Sequence, residues 1–540
     1  MTVALGILWA QRVRRDWRQL LMWTAGTGLL AYLSYVGVSQ SYGSEQERAS
    51  LLAAAVANPV ILLFRGLPSG PDEGAFMVFL IMPWLALLAA FMSTFLAVRH
   101  TRGDEEAGRA ELVSATPAGR MMPVVATALH GIGANVVLGA LVALAYIAVG
   151  LDTAGAVVAG AAAACVGACF LGVGLVCAQL LRTSRAANAT AVWITLAAFL
   201  VSGIGNAIGT PSDDLSRVES SGLAWASPFG WAENTRAFDE DLWWPVLLGV
   251  GVGLVLAGST IALAAARDLG ESFIPARRGR TEASVALSSP TALVWRLTRG
   301  AIIGWVVGGL IAGVMSTSLA SIVEEVGASN PAIEEIVRQI SGDGSVEQGT
   351  ITTFFTMLGV LAACCAVQVV CRARQEEAHG TAEIVLSAPV ARVRWLADYL
   401  VVAAVGILLV VAAAIGGAAL GIAARGGDWD LMLTVVVTGA GQAIGASVFL
   451  VATALAFVLA PRITIPLGWS LVVLGMTLGL FGPLFGFPEW LVRVSPVAVT
   501  PIVDGDTIDV RGLWWLVGAV AVGAVASLGL MRRRELATGG

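Results

Sequence analysis

Twelve apolar stretches, each long enough to cross a bilayer core as a helix, alternate with polar segments along the 540 residues of the chain. They fall near 19–39, 75–98, 121–149, 154–181, 188–208 and 245–266, and again near 300–320, 351–371, 396–423, 431–460, 463–486 and 514–531. Their abundance of Gly and Ala suits close helix packing in lipid better than the weak alternation of a barrel. Ahead of the first stretch, Leu5, Leu8, Trp9, Val13 and Trp17 fall roughly along one helical face, with Arg12, Arg14, Arg15 and Arg18 elsewhere. That pattern predicts an interfacial helix leading into the membrane. No small-residue cleavage site accompanies it, so the first stretch is expected to be a retained span and not a signal peptide.

The polar segment between the second and third stretches, residues 99–120, is written twice. A shift of 272 places superposes Arg102, Glu105, Gly108, Ala110, Glu111, Val113, Pro117 and Arg120 on Arg374, Glu377, Gly380, Ala382, Glu383, Val385, Pro389 and Arg392. Later landmarks recur too: Ser227-Pro228 as Ser495-Pro496, Leu242-Trp243-Trp244 as Leu513-Trp514-Trp515, and Arg267-Asp268-Leu269 as Arg534-Glu535-Leu536. The chain therefore reads as an all-α polytopic membrane protein of about 12 transmembrane helices, a tandem duplication of a six-helix unit. The first unit is expected over 1–270 and the second over 290–540, with 271–289 (Pro275, Arg277, Arg278, Arg280) as a linker.

Composition agrees. The mean hydropathy is +0.82, 57% of residues are hydrophobic and 13% charged, which excludes an ordinary soluble domain. With both termini, both polar islands and the linker on one side, that side holds 24 Arg against 13 acids and the other 8 Arg against 24. The positive-inside rule then assigns the termini, islands and linker to the cytoplasm of a plasma-membrane protein. Segments 40–74, 209–244, 321–350 and 485–513 would face outward.

Several chemistries are missing. All 32 basic residues are Arg and none is Lys, so a phosphate-cradling loop that ends in Lys is absent, and no soluble stretch is long enough for a nucleotide domain. The span centres carry almost no ionisable residues, which argues against an ion relay. Asp398 lies at the start of a span, and His130 reads as a lone packing residue. The six cysteines lie in or beside apolar runs and read as small buried hydrophobes. His100, His130 and His379 look too scattered for a metal site. No nucleophile–base set or paired carboxylates can be identified within the spans, which argues against an embedded enzyme.

The two islands are better explained as docking surfaces than as filler. Asp104, Glu105 and Glu106, like Glu376 and Glu377, are placed to favour the start of a short helix through its dipole. Leu112 and Val113, or Ile384 and Val385, give that helix an apolar face, and Pro117 or Pro389 limits it. The islands diverge where His379 and Thr381 replace Ala107 and Arg109, so a partner could bind them unequally.

A cytoplasmic Glu-x-x-Gly-x-x-Glu-Leu/Ile followed by small residues, Pro and Arg, between spans two and three of a six-span unit, resembles the coupling-helix region of ABC exporter permeases of the type V (ABC-2-like) class. The double-length, Lys-free chain is similar to actinobacterial multidrug or antibiotic (tetronasin-type) efflux permeases. The resemblance implies a membrane subunit that exports small amphipathic molecules and binds no cofactor itself. ATP and Mg would sit on two copies of a separately encoded ATP-binding subunit, docked through Arg102, Glu105, Gly108, Glu111, Pro117 and Arg120 and through Arg374, Glu377, Gly380, Glu383, Pro389 and Arg392. Nucleic acid is not among the expected partners. Spans two, five, eight and eleven would line the substrate path, with Phe91, Met92, Phe95, Phe354, Phe355 and Trp469 as candidates. The same architecture in related families serves lipid or glycan-precursor export, which stands as the alternative.

Overall fold

In a computed structural model, described for residues 2–56, 59–116, 119, 121–274, 288–327, 346–426, 429–481, 488–504 and 507–534, the chain is helical almost throughout. It divides into two compact units, Met1–Gly279 and Arg280–Gly540. Most of the expected linker, 275–287, and most of the outward segment 321–350 lie outside the described residues.

Unit 1 contains α1 (Thr2–Ser41), α2 (Glu45–Val56), α3 (Pro59–Arg65), α4 (Glu73–Arg99), α5 (Arg102–Glu106), α6 (Arg109–Ser114), α7 (Met122–Ala148), α8 (Thr153–Leu180), α9 (Ser184–Ala207), α10 (Pro228–Glu233) and α11 (Trp244–Ala266). Unit 2 repeats the plan with α12 (Pro290–Gly327), α13 (Val346–Ala378), α14 (Thr381–Leu386), α15 (Arg392–Arg425), α16 (Leu431–Leu459), α17 (Thr464–Met476), α18 (Glu489–Val492) and α19 (Leu513–Met531). Among the described residues, twelve helices are long and apolar enough to span a membrane.

One expectation changes. The interfacial helix and first span are a single 40-residue helix, α1, because no proline separates Arg12 from the apolar stretch. Its faces are polarised against lipid: Trp9 and Trp17 are exposed, while Arg12 and Asp16 are buried against the rest of unit 1. Arg14, Arg15 and Arg18 stay exposed on the same helix.

The core of each unit forms around its second and fourth spans, α4 with α8 and α13 with α16, which are the most deeply buried helices. Small residues permit this. A Cβ added at Gly160 of α8 would lie 2.3 Å from the Gly139 carbonyl oxygen of α7, and one at Gly139 would lie 2.6 Å from that of Gly160. Backbones thus touch directly, the device by which helices associate in lipid. The outermost spans, α11 and α19, leave most of their apolar surface exposed, as a lipid-facing helix does.

Each unit carries a two-stranded hairpin in the segment before its last span: β1 (Thr210–Pro211) pairs with β2 (Val218–Glu219), and β3 (Ile502–Asp504) with β4 (Thr507–Asp509). Beside the first hairpin, buried Glu233 at the end of α10 accepts hydrogen bonds from Ser202 Oγ at 3.0 Å and Asn206 Nδ2 at 2.6 Å. Desolvation outweighs these bonds and pushes its carboxyl up to about 7. The folded chain therefore keeps a proton that an unfolded chain, titrating at its ordinary 4.5, gives up. Stability from this site is fully present below about pH 4.5 and is lost progressively as pH rises through 7, by on the order of 3 kcal/mol. Glu233→Gln should match the wild type in thermal unfolding at pH 4.5 and exceed it at pH 8; an equal offset at both pH values would refute the assignment.

Candidate functional site

The duplicated islands fold into short helices hinged on glycine. In unit 1 the chain leaves α4, turns at Thr101, forms α5, and then passes through Gly108 at φ +70° into α6. In unit 2, α13 runs unbroken to Ala378, and Gly380 at φ +73° leads into α14. No atom lies within 4 Å of a Cβ built on either glycine. Their recurrence is thus a backbone demand: a left-handed residue bearing a Cβ costs roughly 1–2 kcal/mol. Glu376 and Glu377 do not begin a helix as expected but lie in the last turn of α13, where the dipole disfavours them. Glu376 is compensated by an ion pair with Arg372 and a 2.6 Å hydrogen bond from Thr381 Oγ1. The residues opening the second helices are Glu111 and Glu383.

The first glutamate of each island is held as a brace by two arginines. Glu105 accepts hydrogen bonds from Arg102 Nη1 at 2.8 Å and from Arg267, just beyond α11, whose Nη1 is at 3.0 Å. Glu377 accepts two from Arg534 Nη2, at 2.7 and 2.8 Å, with Arg374 Nη1 at 3.7 Å. Arg102 (1% exposed) and Glu377 (0%) cannot touch a partner protein, and Arg374 is buried as well. Arg102 donates further, Nε to the Ala178 carbonyl at 3.1 Å and Nη2 to that of Glu271 at 2.9 Å. Arg534 stacks its guanidinium over Phe457, 4.5 Å from the ring centroid. Arg267 and Arg534 were visible in the sequence only as a repeated terminal motif; that recurrence was the signal of their role.

The second helices offer the exposed surface. Leu112 and Ile384, equivalent positions in the repeat, are each 73% exposed, and Glu111 and Glu383 beside them are exposed as well. Pro389 is exposed, and Arg392 donates to the Arg534 carbonyl at 2.6 Å. Pro117 and Arg120 lie outside the described residues. The islands differ locally: Arg109 pairs with Asp104 at 2.8 Å, and Asp104 also holds Arg15 at 2.9 Å. His379 instead folds back on the Gln375 carbonyl at 2.7 Å.

Of the aromatic and Met candidates for a substrate path, Met92 and Phe355 are buried in the apolar cores of their own units. Phe91 and Phe95 stack with ring centroids 6.0 Å apart, and Phe95 also meets Trp23 of α1 at 6.4 Å. Phe354 is half-buried and Trp469 about one-third exposed.

The histidines are not all scattered. His100, just after α4, and His130 of α7 meet edge to face with ring centroids 5.6 Å apart, and Asp16 of α1 bonds His100 Nε2. His130 is thus part of a buried polar group and not a lone packing residue. Beside it, a cavity of about 290 Å³ is lined by His100, Arg12, Arg15, Asp104 and the apolar faces of Leu112 and Val113.

Comparison with known proteins places these features. Residues 287–532 match the family described as "Multidrug efflux system permease Rv1217c, C-terminal domain". Across 530 residues, 97% of this chain and 94% of the relative, the sequence is 34% identical to the multidrug efflux system permease protein Rv1217c of Mycobacterium tuberculosis (strain ATCC 25618 / H37Rv).

The brace and the exposed surface separate experimentally. Glu377→Gln strips the charge from a buried ion pair, a loss of about 3–5 kcal/mol, so the variant should show a clearly lower melting temperature in detergent. Glu383→Gln, on the exposed helix, should stay within about 0.5 kcal/mol of wild type. Equal melting of the two variants would remove the brace from this account.

Proposed function

We propose that this chain, which belongs to the family of multidrug efflux permeases, is driven by ATP hydrolysis on two copies of a separately encoded ATP-binding subunit that dock on its two islands. One observation carries the reading. The same short helix occurs once in each unit, stands outside the spans, and holds a large apolar residue, Leu112 or Ile384, open to solvent. Exposed apolar side chains on a polar, rigidly braced element suit burial in a groove of a partner. The brace gives the docking helix a mechanical connection: Glu105 links it to the end of α11 and Glu377 links it to the end of α19, so displacement of a docked island would be felt by the last span of its unit. The substrates fitting this membrane subunit are amphipathic small molecules, drugs or antibiotics, that partition into the bilayer. ATP and Mg would reside on the partner, since no Lys is present to serve a phosphate loop. The chain by itself should therefore lack ATPase activity.

Both termini and both islands are proposed to face the cytoplasm, on the strength of the arginine bias. Leu112→Ala and Ile384→Ala should each weaken co-purification of the ATP-binding subunit by about tenfold to a hundredfold, the value of one buried aliphatic side chain, and lower drug resistance without loss of membrane insertion. Undiminished assembly and resistance in the double variant would return the islands to solvated loops.

Topology is tested independently. Asp213→Cys, on the exposed stretch between β1 and β2, should react with an impermeant thiol reagent in intact cells. The native background is low, because five cysteines are buried and Cys364 is half-buried. Labelling only after permeabilisation would reverse the orientation.

A further inference from the structure

We propose that Asp16, His100 and His130 form a binding site for one divalent transition-metal ion of the zinc class beneath the first island, with Asp104 as its outer carboxylate. Among the described residues they are the one group of three metal-ligating side chains whose donor atoms approach closely enough to share an ion, all within 4.8 Å of one another. They come from three separate elements, α1, the end of α4, and α7, and all three are at least nine-tenths buried. Two imidazoles and one carboxylate are the donor set of catalytic and regulatory zinc sites, and they disfavour Mg and Ca, which take oxygen alone.

The ring nitrogens are disposed as ligands should be. His130 Nε2 is buried, has no hydrogen-bond partner, and points at Asp16 Oδ2 from 3.8 Å. An ion about 2.0–2.2 Å from each donor needs them about 3.3 Å apart in a tetrahedral site. His130 and Asp16 would close by about half an ångström, and His100 and Asp16, now hydrogen-bonded, would open to admit the ion. His100 presents Nε2 inward, while its other nitrogen, Nδ1, is also without a hydrogen bond and faces Asp104 Oδ2 at 3.9 Å. A ligating histidine ordinarily gives its second N–H to a carboxylate, which fixes the tautomer and makes the ring a better donor, and Asp104 would take that role by closing on Nδ1. A cavity of about 290 Å³ borders His100 and Asp104 on the outer side of the cluster.

Arginines border the group: Arg99 Nη2 lies 3.2 Å from Asp16 Oδ1, and Arg12 reaches the His100 carbonyl at 3.5 Å. With Arg15 and Arg109 on Asp104 they oppose a dication, and the carboxylates of Asp16 and Asp104 counter them only in part, so binding rests on the two imidazoles and the Asp16 carboxylate. The site belongs to unit 1 alone: at the matching places of the repeat stand Arg372 and Val402, so one ion per chain is the expected stoichiometry. Because Asp104 lies on α5 and also pairs with Arg15 and Arg109, a bound ion would tie the first island to α1 and α7 and leave the second unaffected.

The purified full-length chain in lipid nanodiscs, stripped by chelator and dialysed against zinc chloride, should retain one zinc per chain by elemental mass spectrometry and melt at a higher temperature than the stripped form. Magnesium should do neither. His130→Ala and Asp16→Asn should abolish the bound zinc and the shift. His130→Gln, which keeps a polar group of similar size, serves where the alanine variant does not purify folded. Asp104→Asn should retain the site with affinity lowered about 10- to 100-fold. Cobalt in place of zinc should give no thiolate charge-transfer band, which separates this site from binding at the cysteines Cys165 and Cys169 of α8. Absence of zinc from the wild-type chain, its full retention in the His130 and Asp16 variants, or a thiolate band with cobalt would each overturn the proposal.

Discussion

A carboxylate buried at the edge of a bilayer has little water to solvate it, so Glu105 and Glu377 are tolerable only while arginines close around them from two directions. One arginine comes from the same helical turn, Arg102 or Arg374, and the other from beyond the last span of the unit, Arg267 or Arg534. Remove either side and a buried ion pair is broken. The brace therefore does two things through one requirement. It closes each six-helix unit by linking its second span to its end, and it fixes the direction in which the short helix after the glycine leaves the membrane.

That requirement separates roles which a repeated motif runs together. Within eight residues of each island there is a charge held by arginines, a glycine that must turn left-handed, and a strongly exposed apolar residue. The first two are obligations of the fold. Only the third, Leu112 or Ile384, is strongly exposed. On the proposed reading the two kinds of residue work together, because docking would transmit force only through a rigid joint to the spans behind it.

The two units meet the same obligations with different surroundings. In unit 1 the helix breaks at Thr101, and Asp104 is drawn toward Arg15 of α1 and Arg109 of α6; in unit 2, α13 continues and Glu376 is satisfied by Arg372 and Thr381. The break makes space for His100, His130 and Asp16 to meet in unit 1. Duplication has left one half with a plain brace and the other with a brace beside a polar, ligand-competent cluster, so the halves are inequivalent where they would meet their partners.

The sequence by itself determined the helical class, the twelve spans, the duplication and the position of the islands. Each follows from a constraint that acts along the chain: about 20 apolar residues per crossing, helical continuity in lipid, and identity at a fixed shift. Only the tertiary structure decided which island residues face inward, since Glu105 and Glu111 look alike in a motif and differ by what lies 162 positions away at Arg267. It also decided that Met92 and Phe355 belong to cores, because an aromatic or Met-rich span reads the same whether it lines a path or packs against a neighbour. And it brought together Asp16, His100 and His130, whose separations of 84 and 30 residues give no periodic signal. Proximity across helices depends on how apolar faces dock, and that is a property of the packed assembly and not of any one stretch of chain.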